Sequence, residues 1–266
     1  MFPLKDNIPL ARLPIVTIAL VVINVIAYLL AIRHGGSFFG GPADPVAVHY
    51  GAIPYELTHP GSHCDLATAQ SAEGVLTSTV ACQGQPGVSG SPGPQPASWE
   101  TVITSMFLHG SFLHIFGNML FLAIFGPTVE DTLGRARFLL FYLLGGVIAL
   151  AAQVLVDPSS TGPTLGASGA IAGVLGGYIL LYPRARILTL VFIIFFVTIV
   201  EVPALVLLGF WFLEQLYFGL GGLAGPLGGG ETVAYFAHIG GFAFGLLAIR
   251  LFAHRHRASQ PPLPVY

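Results

Sequence analysis

Four side chains stand out because of where they fall: Ser168, His238, His114 and Asn118, each inside a strongly apolar stretch. Ser168 lies in Gly166-Ala-Ser-Gly169 and His238 opens His-Ile-Gly-Gly. A serine hydroxyl is a weak nucleophile until a neighbouring base takes its proton, and histidine suits that task near neutral pH. His114 and Asn118 are four residues apart, so a helix places them on one face. Both can donate hydrogen bonds. With the Ser168 N–H they could hold the oxyanion that forms when a serine attacks a carbonyl. Together these residues fit a serine activated by a histidine base for attack on a carbonyl. Each has a plainer reading alone: a serine among glycines packs helices, a lone histidine is structural, and an asparagine bonds between helices. The conjunction points to chemistry. His109 is five residues from His114, so it is expected to point elsewhere and make a structural hydrogen bond.

The elements that must position these residues are membrane helices. Of 266 residues, 54% are hydrophobic and 8% charged, with a mean hydropathy of +0.80. A soluble domain carries roughly 25% charged residues, so lipid must cover this surface. The net charge of -2 gives no basis for a nucleic-acid partner. Six apolar stretches run near 15–32, 101–125, 138–156, 166–181, 187–208 and 233–252. A span needs about 20 residues to cross ~30 Å of hydrocarbon, so five fit and the fourth is short. The fold expected is an all-α membrane bundle of six helices over 15–252. The first stretch is too long for a signal-peptide core and lacks a small-residue cleavage site, so it reads as a retained helix.

Depth along the helices supports the conjunction. At 1.5 Å per residue, His114 and His238 each lie ~18 Å from the inner end of their helix, and Ser168 ~21 Å. The fourth helix, at ~24 Å, is shorter than the hydrocarbon and is expected to begin below the outer surface, at the floor of a polar cavity. Ser168 is then in a first turn, where free N–H groups and the helix dipole favour negative charge. Glycines at four-residue spacing, Gly169, Gly173 and Gly177 in one stretch and Gly241 and Gly245 in another, allow close backbone approach.

Nine of the ten basic residues fall on one side if the N-terminus (1–14) is cytoplasmic, Arg33 being the exception. By the positive-inside bias both termini are cytoplasmic and the helix number is even. The long first connection, 34–98, is then outside. Its Gly- and Pro-rich part, 84–96, reads as a flexible insert. Cys64 and Cys82 both lie in this loop. A disulfide is the preferred reading in an oxidising compartment; a metal site with His59 and His63, or two free thiols, are the alternatives. The loop is far from the dyad in sequence, so a bridge there is expected to bear on stability rather than chemistry. The tail 253–266 reads as disordered. Glu130 reads as a loop or cap residue, Glu201 as mid-helix with a partner on a neighbouring helix, and 219–230 as a mobile loop.

Residues 109–126 (HGSFLHIFGNMLFLAIFG), 166–173 (GASGAIAG) and 237–245 (AHIGGFAFG) closely resemble the rhomboid intramembrane serine proteases in their six-helix bacterial form. The resemblance covers roughly 99–252. It implies Ser168 as nucleophile, His238 as general base, and His114 and Asn118 as oxyanion helpers. It also implies single-pass membrane-protein substrates cut near the outer end of their helix, a lipid environment, no cofactor and no metal, and a bacterial plasma membrane as location. Two positions depart from the family. Trp99-Glu100 stands where many members have Trp-Arg, and Ala172 stands where some place an aromatic ring against the histidine.

Three other functions compete. A non-catalytic relative that binds or escorts membrane proteins would have lost the serine or histidine. A transporter would lack the paired G-x-S-G and H-x-x-G motifs. Zinc or aspartyl intramembrane proteolysis has no support, since His-Glu-x-x-His is absent and Asp131 and Asp157 are expected in loops.

Overall fold

The computed structural model describes residues 2–70, 76–86, 88, 93–193, 196–224 and 233–253. Strand β1 (Phe2–Asp6) precedes helix α1 (Ile15–Arg33). The long connection then holds β2 (Gly36–Ser37), β3 (Gly41–Pro42), α2 (Asp44–Tyr50), α3 (Pro54–Thr58), β4 (Cys64–Gln70) and β5 (Leu76–Cys82). A short α4 (Ser98–Thr104) and a 3₁₀ turn lead into α5 (Phe112–Leu133), α6 (Arg135–Val156) and α7 (Ser168–Leu181). Strands β6 (Arg186–Ile193) and β7 (Phe196–Pro203) follow, then α8 (Ala204–Ala224) and α9 (Tyr235–Phe252).

Among the described residues five helices, α1, α5, α6, α8 and α9, are long and apolar enough to cross a membrane, and α7 is a shorter apolar helix. The protein is a multi-pass membrane protein. Its fourteen-residue α7 spans about 21 Å, less than the hydrocarbon thickness. It lies among α5, α6 and α9, with eleven of its residues buried. A helix so enclosed has protein rather than lipid as its surroundings, so its length need not match the bilayer. Interior glycines weaken a helix by about 1 kcal/mol each; here they let neighbouring backbones touch α7.

The expectation of a fifth helix over 187–208 is overturned. Residues 186–193 and 196–203 form the antiparallel pair β6–β7, Ile187 pairing with Val202 and Leu190 with Ile199. The span begins only at Ala204. Strand β1 adds antiparallel to β6, giving the order β1-β6-β7, so the fold is helical but not all-α. Glu201 is correspondingly on a strand, and its carboxylate accepts from Arg186 Nη1 at 3.0 Å. Residues 219–224, expected in a loop, complete α8. The remainder of that expected loop to residue 230, residues 87 and 89–92 of the Gly/Pro-rich insert, and the tail beyond 253 fall outside the described residues.

The sheet lies at the end of the bundle opposite the dyad. There Asp6 accepts from Thr128 Oγ1 (2.6 Å) and Tyr178 Oη (3.0 Å), tying β1 to α5 and α7, and burial raises its carboxyl above the usual range. Glu130 is inside α5 rather than in a loop. Its carboxylate accepts from Val16 N–H, Thr17 N–H and Thr17 Oγ1, satisfying the free donors at the start of α1. Asp131 is also in the last turn of α5, not a loop, and accepts from Ala11 N–H. Gly134, with φ +79, then turns the chain into α6.

At the dyad end the long connection forms a small lobe with its own core of Val48, Ile53, Tyr55 and the joined pair Cys64–Cys82. Buried Glu56 accepts from Cys64 N–H at 2.6 Å, and burial raises its carboxyl. The lobe grips the chain just before α7. Ala52 and Thr164 exchange backbone hydrogen bonds, Tyr55 N–H donates to Ser160 O, and Thr58 Oγ1 donates to Pro158 O. Distance in sequence therefore does not separate this lobe from Ser168.

Candidate active site

Ser168 opens α7, directly after a turn that only glycine can make. Gly166 has φ +117, and a Cβ there would lie 2.7 Å from His114 Nε2 and 3.5 Å from Asn118 Nδ2. Conformation and space both require glycine. The Gly166 N–H donates to Ser105 O at 2.9 Å, which ties the turn to the segment before α5.

The seam between α7 and α9 sets the distance from serine to histidine. A Cβ on Gly241 would run into the Gly169 carbonyl, and one on Gly245 into the Gly173 carbonyl. A Cβ on Gly176 would meet the carbonyl of Phe242. The two helices thus touch backbone to backbone, with Ser168 one residue before Gly169 and His238 three before Gly241. Ser168 Oγ lies 2.7 Å from His238 Nε2. The two side chains come from helices 70 positions apart in sequence.

On α5, Ser111 caps the helix by accepting from His114 N–H at 3.2 Å. His114 and Asn118, one turn apart, both lie against the Gly166 turn on the serine side. The Asn118 amide nitrogen is buried and has no hydrogen-bond partner. It lies beside the Gly166 turn, two residues before Ser168. His109 departs from expectation. It precedes α5 rather than lying in it, and its ring packs edge-on to His114, the centroids 5.1 Å apart. It is fully buried, with no well-formed side-chain hydrogen bond.

Helix α8 supplies two residues that the sequence reading missed. Buried Gln215 places Oε1 2.7 Å from His238 Nδ1, and the Trp211 ring lies 5.8 Å from the His238 ring. Being four apart, the two share a face of α8. The ring beside His238 therefore comes from α8 and not from position 172, where buried Ala172 packs near Gly241. Placing the fifth helix at 187–208 hid both. An amide one turn after a tryptophan, inside the apolar run that follows Pro203, was the available signal. Among the described residues no group of three or more potential metal ligands gathers. The polar groups gathered at Ser168 are hydroxyl, imidazole and amide groups.

Comparison with known proteins adds the following. A family model described as Rhomboid domain matches residues 96–255. Over 153 residues the chain is 35% identical to Rhomboid protein 1, mitochondrial, of Saccharomyces cerevisiae, covering 55% of this chain and 40% of that protein. It is 38% identical over 81 residues to Putative rhomboid protease YdcA of Bacillus subtilis, covering 30% of this chain and 40% of that protein. It is 34% identical over 133 residues to Rhomboid protease GluP of Bacillus subtilis, covering 49% and 25%. The chain thus spans less than half the length of each of these relatives. The disulfide-joined lobe precedes the matched region.

Proposed function

The chain belongs to the rhomboid family, and from that premise we propose that it is an intramembrane serine endopeptidase. The observation that carries the reading is the 2.7 Å contact of Ser168 Oγ with His238 Nε2, set among helices apolar enough to cross a membrane. In this reading the Ser168 hydroxyl donates to His238 Nε2. As Oγ attacks the scissile carbonyl, its proton passes to Nε2. The carbonyl oxygen becomes an oxyanion, met by donors from Asn118, His114 and the Ser168 N–H. The imidazolium returns its proton to the departing amine, which leaves an acyl-enzyme. Water then repeats the cycle: His238 takes its proton, the acyl–oxygen bond breaks, and Ser168 is regenerated.

The place of the Asn118 amide against the Gly166 turn supports the oxyanion role, since a donor already positioned there needs no reorganisation when charge develops. The short α7 supports entry of water, because a helix that begins below the bilayer surface leaves room above the serine. We take α1, α5, α6, α7, α8 and α9 as six crossings. That places Lys5, Arg12, Arg135, Arg137, Arg184, Arg186 and Arg250 on the cytoplasmic side with both termini, and the Cys64–Cys82 lobe outside. The substrates proposed are single-pass membrane proteins cut near the outer end of their helix, and the compartment a bacterial plasma membrane. Two relatives are bacterial, while the yeast relative is named as mitochondrial.

The test is cleavage of labelled membrane-helix substrates by detergent-purified protein. Ser168→Ala is expected to abolish cleavage while expressing normally. Cleavage at the wild-type rate by that variant would sink the mechanism.

A further inference from the structure

The hydrogen bond from α8 decides which nitrogen of His238 can act as a base. A neutral imidazole carries one proton, and the nitrogen without it is the acceptor. Gln215 Oε1 can only accept, so a 2.7 Å contact with His238 Nδ1 requires the proton on Nδ1. Nε2 is then the nitrogen with the free lone pair, and Nε2 faces Ser168 Oγ at 2.7 Å. The opposite tautomer would set a bare Nδ1 against a carbonyl oxygen and leave Nε2 no lone pair for the serine proton. Both side chains are buried, so water is poorly placed to replace the missing partner.

We propose that Gln215 is the positioning residue of the site, holding His238 in the Nδ1–H tautomer and so turning a two-residue contact into a Ser–His–Gln relay. This rests on the protease reading above and deepens it. Gln215 touches neither substrate nor nucleophile; it acts through the histidine.

Chemistry favours an amide here. A carboxylate would hold the same tautomer and raise the basicity of the ring, but a charge at this depth in an apolar bundle is costly. An amide oxygen orients the imidazole without a net charge. Geometry makes the contact specific. Trp211, one turn earlier on α8, lies beside the His238 ring, and Phe212 stacks on Phe242 at 4.6 Å, one turn further along α9. Trp211 and Gln215 thus border the His238 ring directly, while Phe212 packs α8 on α9 beside it.

The experiment uses full-length protein in detergent, with a fluorophosphonate as the probe of Ser168 reactivity. Gln215→Leu keeps the apolar bulk and removes the acceptor. Its labelling rate is expected to fall about 10- to 100-fold, less than the 10²–10⁴ that general acid–base catalysis supplies as a whole. Its melting temperature should stay close to wild type. Gln215→Glu should restore labelling above Gln215→Leu and move the pH profile of labelling to higher pH, because a carboxylate favours the imidazolium. ¹⁵N spectra of histidine-labelled protein, with the His238 signals assigned by difference from His238→Ala, should show Nδ1 protonated in wild type and a mixture of tautomers in Gln215→Leu. Wild-type labelling and an unchanged pH profile in Gln215→Leu would overturn the proposal. So would a rate loss that merely tracks lowered melting while the Nδ1–H signal persists. If wild-type protein shows no Ser168-dependent labelling, the protease reading fails, while the nitrogen spectra still decide whether Gln215 sets the tautomer.

Discussion

Helix α9 is held on two sides by different means. Toward α7 the contact is backbone on backbone: Gly241 against the Gly169 carbonyl, Gly245 against the Gly173 carbonyl, and the Phe242 carbonyl against Gly176. Toward α8 the contact is side chain on side chain, with Trp211, Phe212 and Gln215 against His238 and Phe242. Helix α7, which carries Ser168, therefore has no freedom to slide without a steric clash. The α8 contact can adjust by rotamer changes. Much of α8 is also exposed: Leu205, Val206, Phe210, Leu213 and Tyr217 all point away from the protein. A site built this way fixes the Ser–His distance rigidly and leaves the orientation of the imidazole to a softer neighbour. The turn before Ser168 belongs to the rigid part, held by Gly166 N–H on Ser105 O and by Thr164 paired with Ala52.

The sharpest way to break the contrast is Gly245→Val. Its side chain would meet the Gly173 carbonyl and Gly177 nitrogen, which cannot rotate away. Overpacking typically costs 1–3 kcal/mol, and an obstacle made of backbone puts this at about 3 kcal/mol or more. The expected result is loss of monodisperse protein and of the thermal transition in detergent. A variant that melts normally would show that the seam is not rigid.

Next in size is Asn118→Ala. It removes a donor beside the Gly166 turn and should lower kcat by ~10²–10³ with KM little changed, because the oxyanion exists only near the transition state. A raised KM with normal kcat would make Asn118 a substrate contact instead. Smaller again is the double replacement Cys64→Ser with Cys82→Ser. Opening a loop with a sequence separation of 18 should cost the lobe about 3 kcal/mol. Faster limited proteolysis within 34–98 would report this. Because the lobe pairs with the chain before α7, kcat should fall several-fold as well; unchanged kcat would separate lobe from turn. The smallest effect is expected from Phe212→Ala on the α8 side. Full burial would make such a truncation cost 3–5 kcal/mol, and this half-exposed ring should cost about 1–3 kcal/mol. Thermal melting of Phe212→Ala beside Gly245→Val compares the two seams directly, and a larger loss on the α8 side would invert the contrast.

Much of this protein could be read from its residues. Low charge and long apolar runs require a membrane, because no other solvent covers such a surface. Ser168, His238, His114 and Asn118 could be singled out, and are found close together, because polar groups inside apolar helices are rare; the glycines at four-residue spacing indicated where helices could approach. The strand pair at 186–193 and 196–203 was not legible by length and hydropathy. An apolar run reads the same in a buried strand and a helix, and only its enrichment in Val, Ile, Thr and Phe hinted otherwise. That one error moved the fifth helix and hid Gln215 and Trp211. Glu130 and Glu201 show the same limit: their partners, Thr17 on α1 and Arg186 on the neighbouring strand, are set by packing and register.

Residue types alone therefore determined the solvent and most of the helices, and singled out the polar groups that meet at Ser168. Which nitrogen of His238 faces Ser168, what holds the other, and what grips the turn before α7 were decided only in three dimensions. Each depends on a contact between segments far apart in the chain, and such contacts follow from how helices pack, which local composition does not encode.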